Sequence, residues 1–166
     1  MQIKTEFLPG SLGEIVTLHG RHYATHWGFG AFFESKVARE LAEFQSRMTP
    51  RDLAFIAGDD DGVAASLILD LNDPASGLRG AHLRWFITAD RSRGTGIGRE
   101  LMTRAMRHAD EHAKGKVWLT TFAGLAPARH LYETFGFQLA HEQIGHGWGT
   151  TVTEQEFHRT NTADEP

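Results

Sequence analysis

The sequence contains no cysteine, which excludes both disulfide bonds and thiolate catalysis. It has no run that approaches the roughly 20 apolar residues of a membrane span, and the stretch from Met1 to Phe7 lacks the apolar core of a secretory signal. A net charge of −4 gives no general attraction to nucleic acid or to an anionic membrane. We therefore expect a cytoplasmic protein that has neither nucleic acid nor a membrane as a partner.

Internal repeats, low-complexity tracts and interdomain linkers are also missing from the 166 residues, a length that fits one domain. Apolar periodicity predicts helices that alternate with strands. The predicted strands cover residues 2–8, 53–57, 63–71, 81–89, 117–122, 137–141 and 150–157. This order predicts an α/β fold with a single domain over residues 1–158 and a flexible C-terminal tail over residues 159–166. The domain should contain one mixed, mostly antiparallel sheet of about seven strands with helices on both faces. The spacing of Ser11 and Glu14 predicts a capping box at the start of the first helix.

The most informative stretch is Arg91-Ser-Arg-Gly-Thr-Gly-Ile-Gly-Arg-Glu-Leu-Met102, a glycine-rich turn between a predicted strand and a predicted helix. Its three glycines let successive N–H groups approach one ligand, and the helix adds its positive N-terminal end. The arginines of the turn suit phosphate because the guanidinium fork donates two hydrogen bonds to one group. Taken alone, such a turn is more often a plain loop than a site, and it is the rest of the chain that favours a phosphate site.

The spacing within this turn excludes two common phosphate-binding motifs. A P-loop ends in Gly-Lys-Ser/Thr, whereas this turn has Gly98 followed by Arg99 and Glu100. A dinucleotide-binding fingerprint needs a further glycine where Arg99 stands. The remaining pattern is Arg-x-x-Gly-x-Gly, which begins at Arg91.

A second segment, Ala128-Arg-His-Leu-Tyr-Glu-Thr-Phe-Gly-Phe137, has the apolar spacing of a short helix that ends near Gly136. Together, the turn and this segment resemble the motifs of the GNAT N-acetyltransferases. The segments at 7–13, 121–125 and 148–155 are similar to the acetyltransferase domain found fused to MarR-type regulators, so the likeness spans about residues 3–158. The resemblance implies the GNAT fold and acetyl-CoA as co-substrate. It also implies an N-acetyltransferase in which a primary amine of a small molecule or amino acid attacks the thioester directly.

The resemblance also implies which residues bind the cofactor and take part in the reaction. The Arg-x-x-Gly-x-Gly turn would bind the diphosphate of acetyl-CoA, and the preceding strand would pair with pantetheine and offer a free N–H to the oxyanion where neighbouring strands diverge. Tyr132 occupies the family's tyrosine position and would protonate the leaving thiolate, although an aromatic packing role is the alternative. The predicted cofactor-binding residues are Phe86, Ile87, Thr88, Arg91, Arg93, Gly94, Thr95, Gly96, Ile97, Gly98 and Arg99.

Acceptor recognition in this fold usually involves the first two helices and the last loop. There the predicted substrate residues are Trp27, Glu34 and Trp148, which could line an apolar or cation–π pocket. No general base is assigned; the candidates are Glu34, His82, Glu142 and His146. Phe122 stands near the position where GNAT proteins often have an asparagine, so one common cofactor contact is absent or made by the backbone.

Ten histidines raise the question of a metal site. His108 and His112 are one helical turn apart, but no third ligand is evident, and His141-Glu-Gln-Ile-Gly145 lacks the second histidine of a zinc-protease motif. No metal site is predicted. Two other functions stay open: a non-catalytic acetyl-CoA-sensing regulatory module and a protein or peptide N-acetyltransferase. The oligomeric state also stays open, with a homodimer as one option.

Overall fold

The computed structural model describes residues 1–160; the predicted flexible tail beyond residue 160 lies outside the described residues. Seven strands alternate with four helices along these residues. The strands are β1 (Gln2–Lys4), β2 (Leu53–Asp59), β3 (Gly62–Asp70), β4 (Ala81–Thr88), β5 (Val117–Phe122), β6 (Phe137–Gly145) and β7 (Val152–Arg159). The helices are α1 (Ser11–Trp27), α2 (Ala31–Arg47), α3 (Ile97–His112) and α4 (Ala126–Thr134), with a 3₁₀ turn at Asp90–Ser92.

All seven strands form one sheet in the order β1-β2-β3-β4-β5-β7-β6. Only the β4–β5 pair is parallel, and the other neighbours are antiparallel. The predicted single-domain α/β fold, with a mostly antiparallel mixed sheet of seven strands, is therefore confirmed. Within residues 1–160, no helix has the length and apolar character needed to cross a membrane.

Two apolar layers cover the two faces of this sheet. On one face, Leu101, Met102 and Ala105 of α3 pack against inward-facing residues of β2 to β5, and Tyr132 of α4 joins the same cluster. On the other face, Ile15 of α1 packs with residues of α2, β2 and β3. The helices therefore lie on both faces, and the end of β4 is covered from both sides.

The predicted capping box at the start of α1 is wrong. The N-cap residue is Gly10, with a left-handed φ of 89° and no side-chain cap. The Ser11 hydroxyl instead donates to the Leu8 carbonyl at 2.7 Å. The Glu14 carboxylate accepts the Val63 N–H at 2.6 Å, so it ties α1 to the β2–β3 hairpin instead of closing its own helix.

Arg159 falls in the predicted tail, but in the structure it is the last residue of β7. Its guanidinium donates to the Asp110 carboxylate at 2.8 Å, the Gly115 carbonyl at 2.9 Å and the Phe135 carbonyl at 3.0 Å. These bonds tie the end of β7 to the elements beside it, which sequence periodicity does not reveal. The ordered domain thus extends at least to Arg159.

Candidate active site

The sheet opens into a cleft between β4 and β5. The two strands pair only at their beginnings, where Ala81 faces Val117 and His82 faces Trp118. Farther along, the Ala89 N–H donates toward β3, to the Ala64 carbonyl at 2.8 Å. Because peptide groups alternate direction along a strand, the Thr88 peptide faces the opening. The end of β4 therefore offers backbone groups to a ligand in place of a neighbouring strand.

A β-bulge shapes β4 just before this opening. The register shifts between Ser66 and Ile68 of β3, and Trp85 adopts a positive φ of 46°, which is strained for a bulky residue. The Ser66 hydroxyl fixes the bulge by donating to the Trp85 carbonyl at 2.8 Å. As a result, Trp85 packs with the α1 and α2 face, whereas Phe86 packs on the opposite face with Tyr132. Sequence periodicity gave no indication of this bulge.

The glycine turn places a row of backbone donors beside the opening. Gly94 and Gly96 have left-handed φ values of 76° and 86°, and Gly96 is the N-cap of α3. Within the part of the chain that the structure describes, no acceptor pairs with the N–H groups of Gly94, Gly96, Ile97, Gly98 and Arg99. Free N–H groups at a helix N-terminus form a ready anion site.

Gly98 lies where α3 passes close to β4. A Cβ at Gly98 would lie 3.4 Å from the Phe86 ring and 3.6 Å from the Thr88 hydroxyl. The first turn of α3 therefore lies directly against the open end of β4. A ligand that bridges the donor row and the β4 peptides must pass beside Gly98.

The three arginines of the turn have different surroundings. Arg91 is directed at the β2–β3 hairpin, where it pairs with Asp59 at 2.9 Å and donates to the Val63 carbonyl at 3.1 Å. The hydrogen bond from Arg91 holds the pKa of the Asp59 carboxyl below its usual value. Arg93 contacts His22 and Asp90. Arg99 is exposed, and its guanidinium has no partner within residues 1–160.

Tyr132 lies at the base of the same cleft. Its residue is only 7% exposed, and its ring packs against Phe86 at 6.2 Å and Phe137 at 5.9 Å between centroids. Its hydroxyl makes no hydrogen bond within residues 1–160. The oxygen is nevertheless not fully buried, so it reaches accessible space. Burial raises the pKa of Tyr132 above its usual value of 10. The phenol is therefore protonated and available to a ligand.

A cavity of about 450 Å³ lies on the α1 and α2 side of the cleft. It is lined by Trp27 and Phe29, by Ala123 after β5, and by Ile144 and residues 150–153 around the β6–β7 loop. A second cavity of about 240 Å³ includes Arg129 and Gln155 and shares only Ala123 with the first. None of the residues lining the larger cavity carries a charge, so it suits a ligand with apolar surface.

Aromatic packing builds one wall beside this larger cavity. Phe122 is buried and contacts Trp27 at 4.8 Å and Trp148 at 5.6 Å between ring centroids. Phe33 packs in the same cluster and belongs to the apolar stripe of α2, whose buried residues are Phe33, Val37, Leu41 and Phe44. Phe122 thus has a packing role at the position where the resemblance led us to expect an asparagine.

The remaining predicted polar residues do not converge on the larger cavity. Glu34 is exposed and lies over Gly20 of α1. His82 binds Asp73 at 2.6 Å at the closed end of the β4–β5 pair, and Glu142 accepts a hydrogen bond from Gln155 at 2.7 Å. No candidate base is singled out by this geometry.

Sequence reasoning gave no site role to two residues of α1 that face the interior. Tyr23 joins the aromatic wall through Phe29 and Phe122, and burial raises its pKa to about 12. His19 is only 5% exposed. Its Nδ1 lies 2.8 Å from the Ile15 carbonyl. Residues 15, 19 and 23 have the i, i+4 spacing of one helix face. The polar groups at 19 and 23, however, are not typical of an apolar stripe.

His19 should make the protein less stable in acid. Burial lowers its pKa from 6.5 to about 4, with the nearby charge of His22 as a smaller cause, although the Ile15 carbonyl opposes the shift. Tyr23 stacks on the ring. Below pH 6.5 the unfolded chain binds a proton that the folded protein refuses until about pH 4, so stability falls across this window. We expect a loss of about 2 kcal/mol between pH 7.5 and pH 5 from this group.

Urea unfolding at both pH values measures this effect. His19→Leu should reduce the pH dependence of the unfolding free energy by that amount, whereas His112→Leu, at an exposed helical histidine, should retain it. Equal pH dependence in the wild type and His19→Leu would contradict the assignment.

One protein family matches most of this chain in a comparison with known proteins. The model of the acetyltransferase (GNAT) family matches residues 20–137. This range contains the bulged strand β4, the glycine turn and Tyr132.

Solved structures share the fold over nearly the whole chain. The yncA protein of Salmonella typhimurium, determined with its cofactor acetyl-CoA, is 16% identical with a TM-score of 0.73, covering 100% of this chain and 97% of that one. A ribosomal-protein-alanine N-acetyltransferase from Brucella melitensis is 16% identical with a TM-score of 0.72, covering 97% and 100%. A spermidine N-acetyltransferase from Vibrio cholerae is 17% identical with a TM-score of 0.65, covering 96% and 95%. At these identities the likeness shows the fold alone.

Proposed function

Since this chain belongs to the acetyltransferase (GNAT) family, we propose that it transfers the acetyl group of acetyl-CoA to a primary amine of a small molecule or an amino acid. The observation that carries this proposal is the row of free N–H groups at Gly94 and residues 96–99 beside the open edge of β4. The donor row suits a diphosphate, and the strand edge suits the amide groups of pantetheine. Tyr132, which packs on Phe86 of β4, supports a role for its hydroxyl beside the same strand edge.

The reaction follows from these positions. The neutral amine nitrogen attacks the thioester carbonyl carbon, and a free N–H at the end of β4 stabilises the negative charge that develops on the carbonyl oxygen. The C–S bond then breaks, and the Tyr132 hydroxyl donates its proton to the leaving sulfur. The amine proton passes to water, and Tyr132 regains a proton from solvent.

The composition of the larger cavity supports an acceptor with apolar surface and few charges. Trp27 and Phe29 offer aromatic faces, and the hydroxyls of threonines between residues 150 and 153 offer hydrogen bonds. The lining provides no carboxylate to pair with the several positive charges of a polyamine. We therefore expect spermidine to be a poorer acceptor than a small apolar amine or amino acid.

Release of CoA thiol with a panel of acceptors tests the proposal. The panel contains apolar amines, amino acids, spermidine and a peptide with an N-terminal alanine. Sustained release with a small amine supports the proposed enzyme, and release with the peptide alone favours a protein or peptide N-acetyltransferase. Tight acetyl-CoA binding without release favours the sensing module, which the likeness to domains fused to MarR-type regulators suggests. The MarR-related subtype, a cytoplasmic location and a homodimer stay predictions.

Trp27→Ala should raise KM for the acceptor amine at least about tenfold and leave KM for acetyl-CoA unchanged. Loss of a packed aromatic face removes about 1.5–3 kcal/mol of binding free energy for the acceptor. The glycine turn and the open end of β4 keep their hydrogen-bond donors for the cofactor. Steady-state kinetics with each substrate varied in turn measures the two constants. Phe32→Ala removes an exposed aromatic ring outside the cavity lining and serves as the control. Equal effects on both constants in Trp27→Ala would contradict the assignment.

A further inference from the structure

Three potential metal ligands that do not line the acceptor cavity converge beside the glycine turn. His22 and His26 lie one turn apart on α1, with ring centroids 4.6 Å apart. Asp90 follows β4 and lies 4.0 Å from His22, between its Oδ1 and the histidine Nδ1. One ligand atom from each of the three residues lies within 4.8 Å of the others. His26 and Asp90 are exposed, so an ion can reach the site.

We propose that His22, His26 and Asp90 bind a first-row transition-metal ion, with Zn²⁺ as the probe. Two imidazoles and one carboxylate form an accepted zinc donor set, and water completes a tetrahedron. Zn–N bonds of about 2.1 Å place tetrahedral ligand atoms about 3.4 Å apart. Rotation of the exposed His26 and Asp90 side chains needs to move their ligand atoms by only about an ångström to reach this separation. His22 and His26 have the i, i+4 spacing of a ligand pair, but Asp90 is too far away in sequence for spacing to have predicted the site.

Arg93 is the group that an incoming ion must displace. Its Nη2 lies 2.9 Å from the Nδ1 of His22, and its Nε lies 3.2 Å from the Asp90 carboxylate. The same Nη2 lies 3.3 Å from the Nε2 of His22, so the guanidinium lies against the imidazole ring, and it has no acceptor of its own. The cation and the metal therefore compete for the space between His22 and Asp90 and for the Asp90 carboxylate.

This competition gives an unusual expected result. Arg93→Ala should bind Zn²⁺ about tenfold more tightly than the wild type, since the ion no longer has to displace the contacts of the guanidinium with His22 and Asp90. His26→Ala and Asp90→Asn should each weaken binding at least tenfold. His112→Ala disrupts the other helical histidine pair, in which His108 is occupied by the Arg51 carbonyl, and should leave binding unchanged.

Calorimetry of untagged, chelator-treated protein with ZnCl₂ tests the proposal without any cofactor. One ion per chain and the stated order of variants support it. No binding to the wild type, or equal binding by wild type and His26→Ala, would overturn it. With Co²⁺ in place of Zn²⁺, the intense visible bands of a tetrahedral complex should appear in the wild type and vanish in Asp90→Asn. Since neither arm uses acetyl-CoA, failure here is distinguishable from failure of the proposed acetyltransferase activity.

Discussion

Gly98→Val should reduce acetyl-CoA affinity at least a hundredfold while the protein remains folded. Gly98 has an ordinary helical φ, so the backbone accepts a side chain. The new methyl groups, however, would fill the gap between α3, the Phe86 ring and the Thr88 hydroxyl. A diphosphate would then lose access to several N–H donors of the turn. Charge-assisted hydrogen bonds are worth about 1.5–3 kcal/mol each, and the loss of two corresponds to about a hundredfold or more.

Calorimetric titration with acetyl-CoA measures this loss, and Gly13→Val provides a matched control. Gly13 also lies in the first turn of a helix, and no atom lies within 4 Å of its added Cβ. Both variants introduce the same β-branched residue, so they share its small cost to the helix. Gly13→Val should bind acetyl-CoA as the wild type does. Wild-type affinity in Gly98→Val would mean that the diphosphate lies elsewhere.

The glycine turn could be predicted from sequence because its properties are local. A left-handed φ at Gly94 and Gly96 and a helix that begins at Ile97 depend on neighbouring residues only. The apolar stripes of α2 and α3 were equally readable, since a helix buries one face at a fixed period. The order and type of the elements therefore followed from short-range patterns.

The features that shape the cleft depend instead on residues far apart in the chain. The bulge at Trp85 requires a hydrogen bond from Ser66, and Glu14 caps the β2–β3 hairpin through Val63 instead of its own helix. Arg91 similarly turns to Asp59. Each side chain had a plausible local or ligand partner in the sequence, and the fold supplied a distant one.

The acceptor side was the least predictable part. The aromatic residues of α1 and of the last loop were visible in the sequence, and Trp27 does line the larger cavity. Glu34, by contrast, lies over Gly20 on the outer surface, because the packing of α1 on α2 decides which side of α2 faces the cleft. Its role in binding the amine stays a prediction without geometric support.

Tyr132→Phe should lower kcat about a hundredfold or more and leave acetyl-CoA affinity nearly unchanged. General acid catalysis contributes about 10²–10⁴ in rate, and phenylalanine cannot protonate the leaving sulfur. The ring would still pack against Phe86 and Phe137, so the cleft between β4 and β5 keeps its shape. Single-turnover release of CoA thiol measures the chemical step, and calorimetry measures the affinity.

Tyr23→Phe is the matched control, because Tyr23 is the only other tyrosine in the chain. It removes the hydroxyl of a partly buried tyrosine from the aromatic wall on the acceptor side, so kcat should change far less than in Tyr132→Phe. The pH profile separates the roles further. Since burial raises the pKa of Tyr132 above 10, the phenol stays protonated through neutral and mildly alkaline pH, and the wild-type rate should show no decline from its ionisation below pH 10. Equal kcat in the wild type and Tyr132→Phe would remove this hydroxyl from the mechanism and assign proton delivery to water.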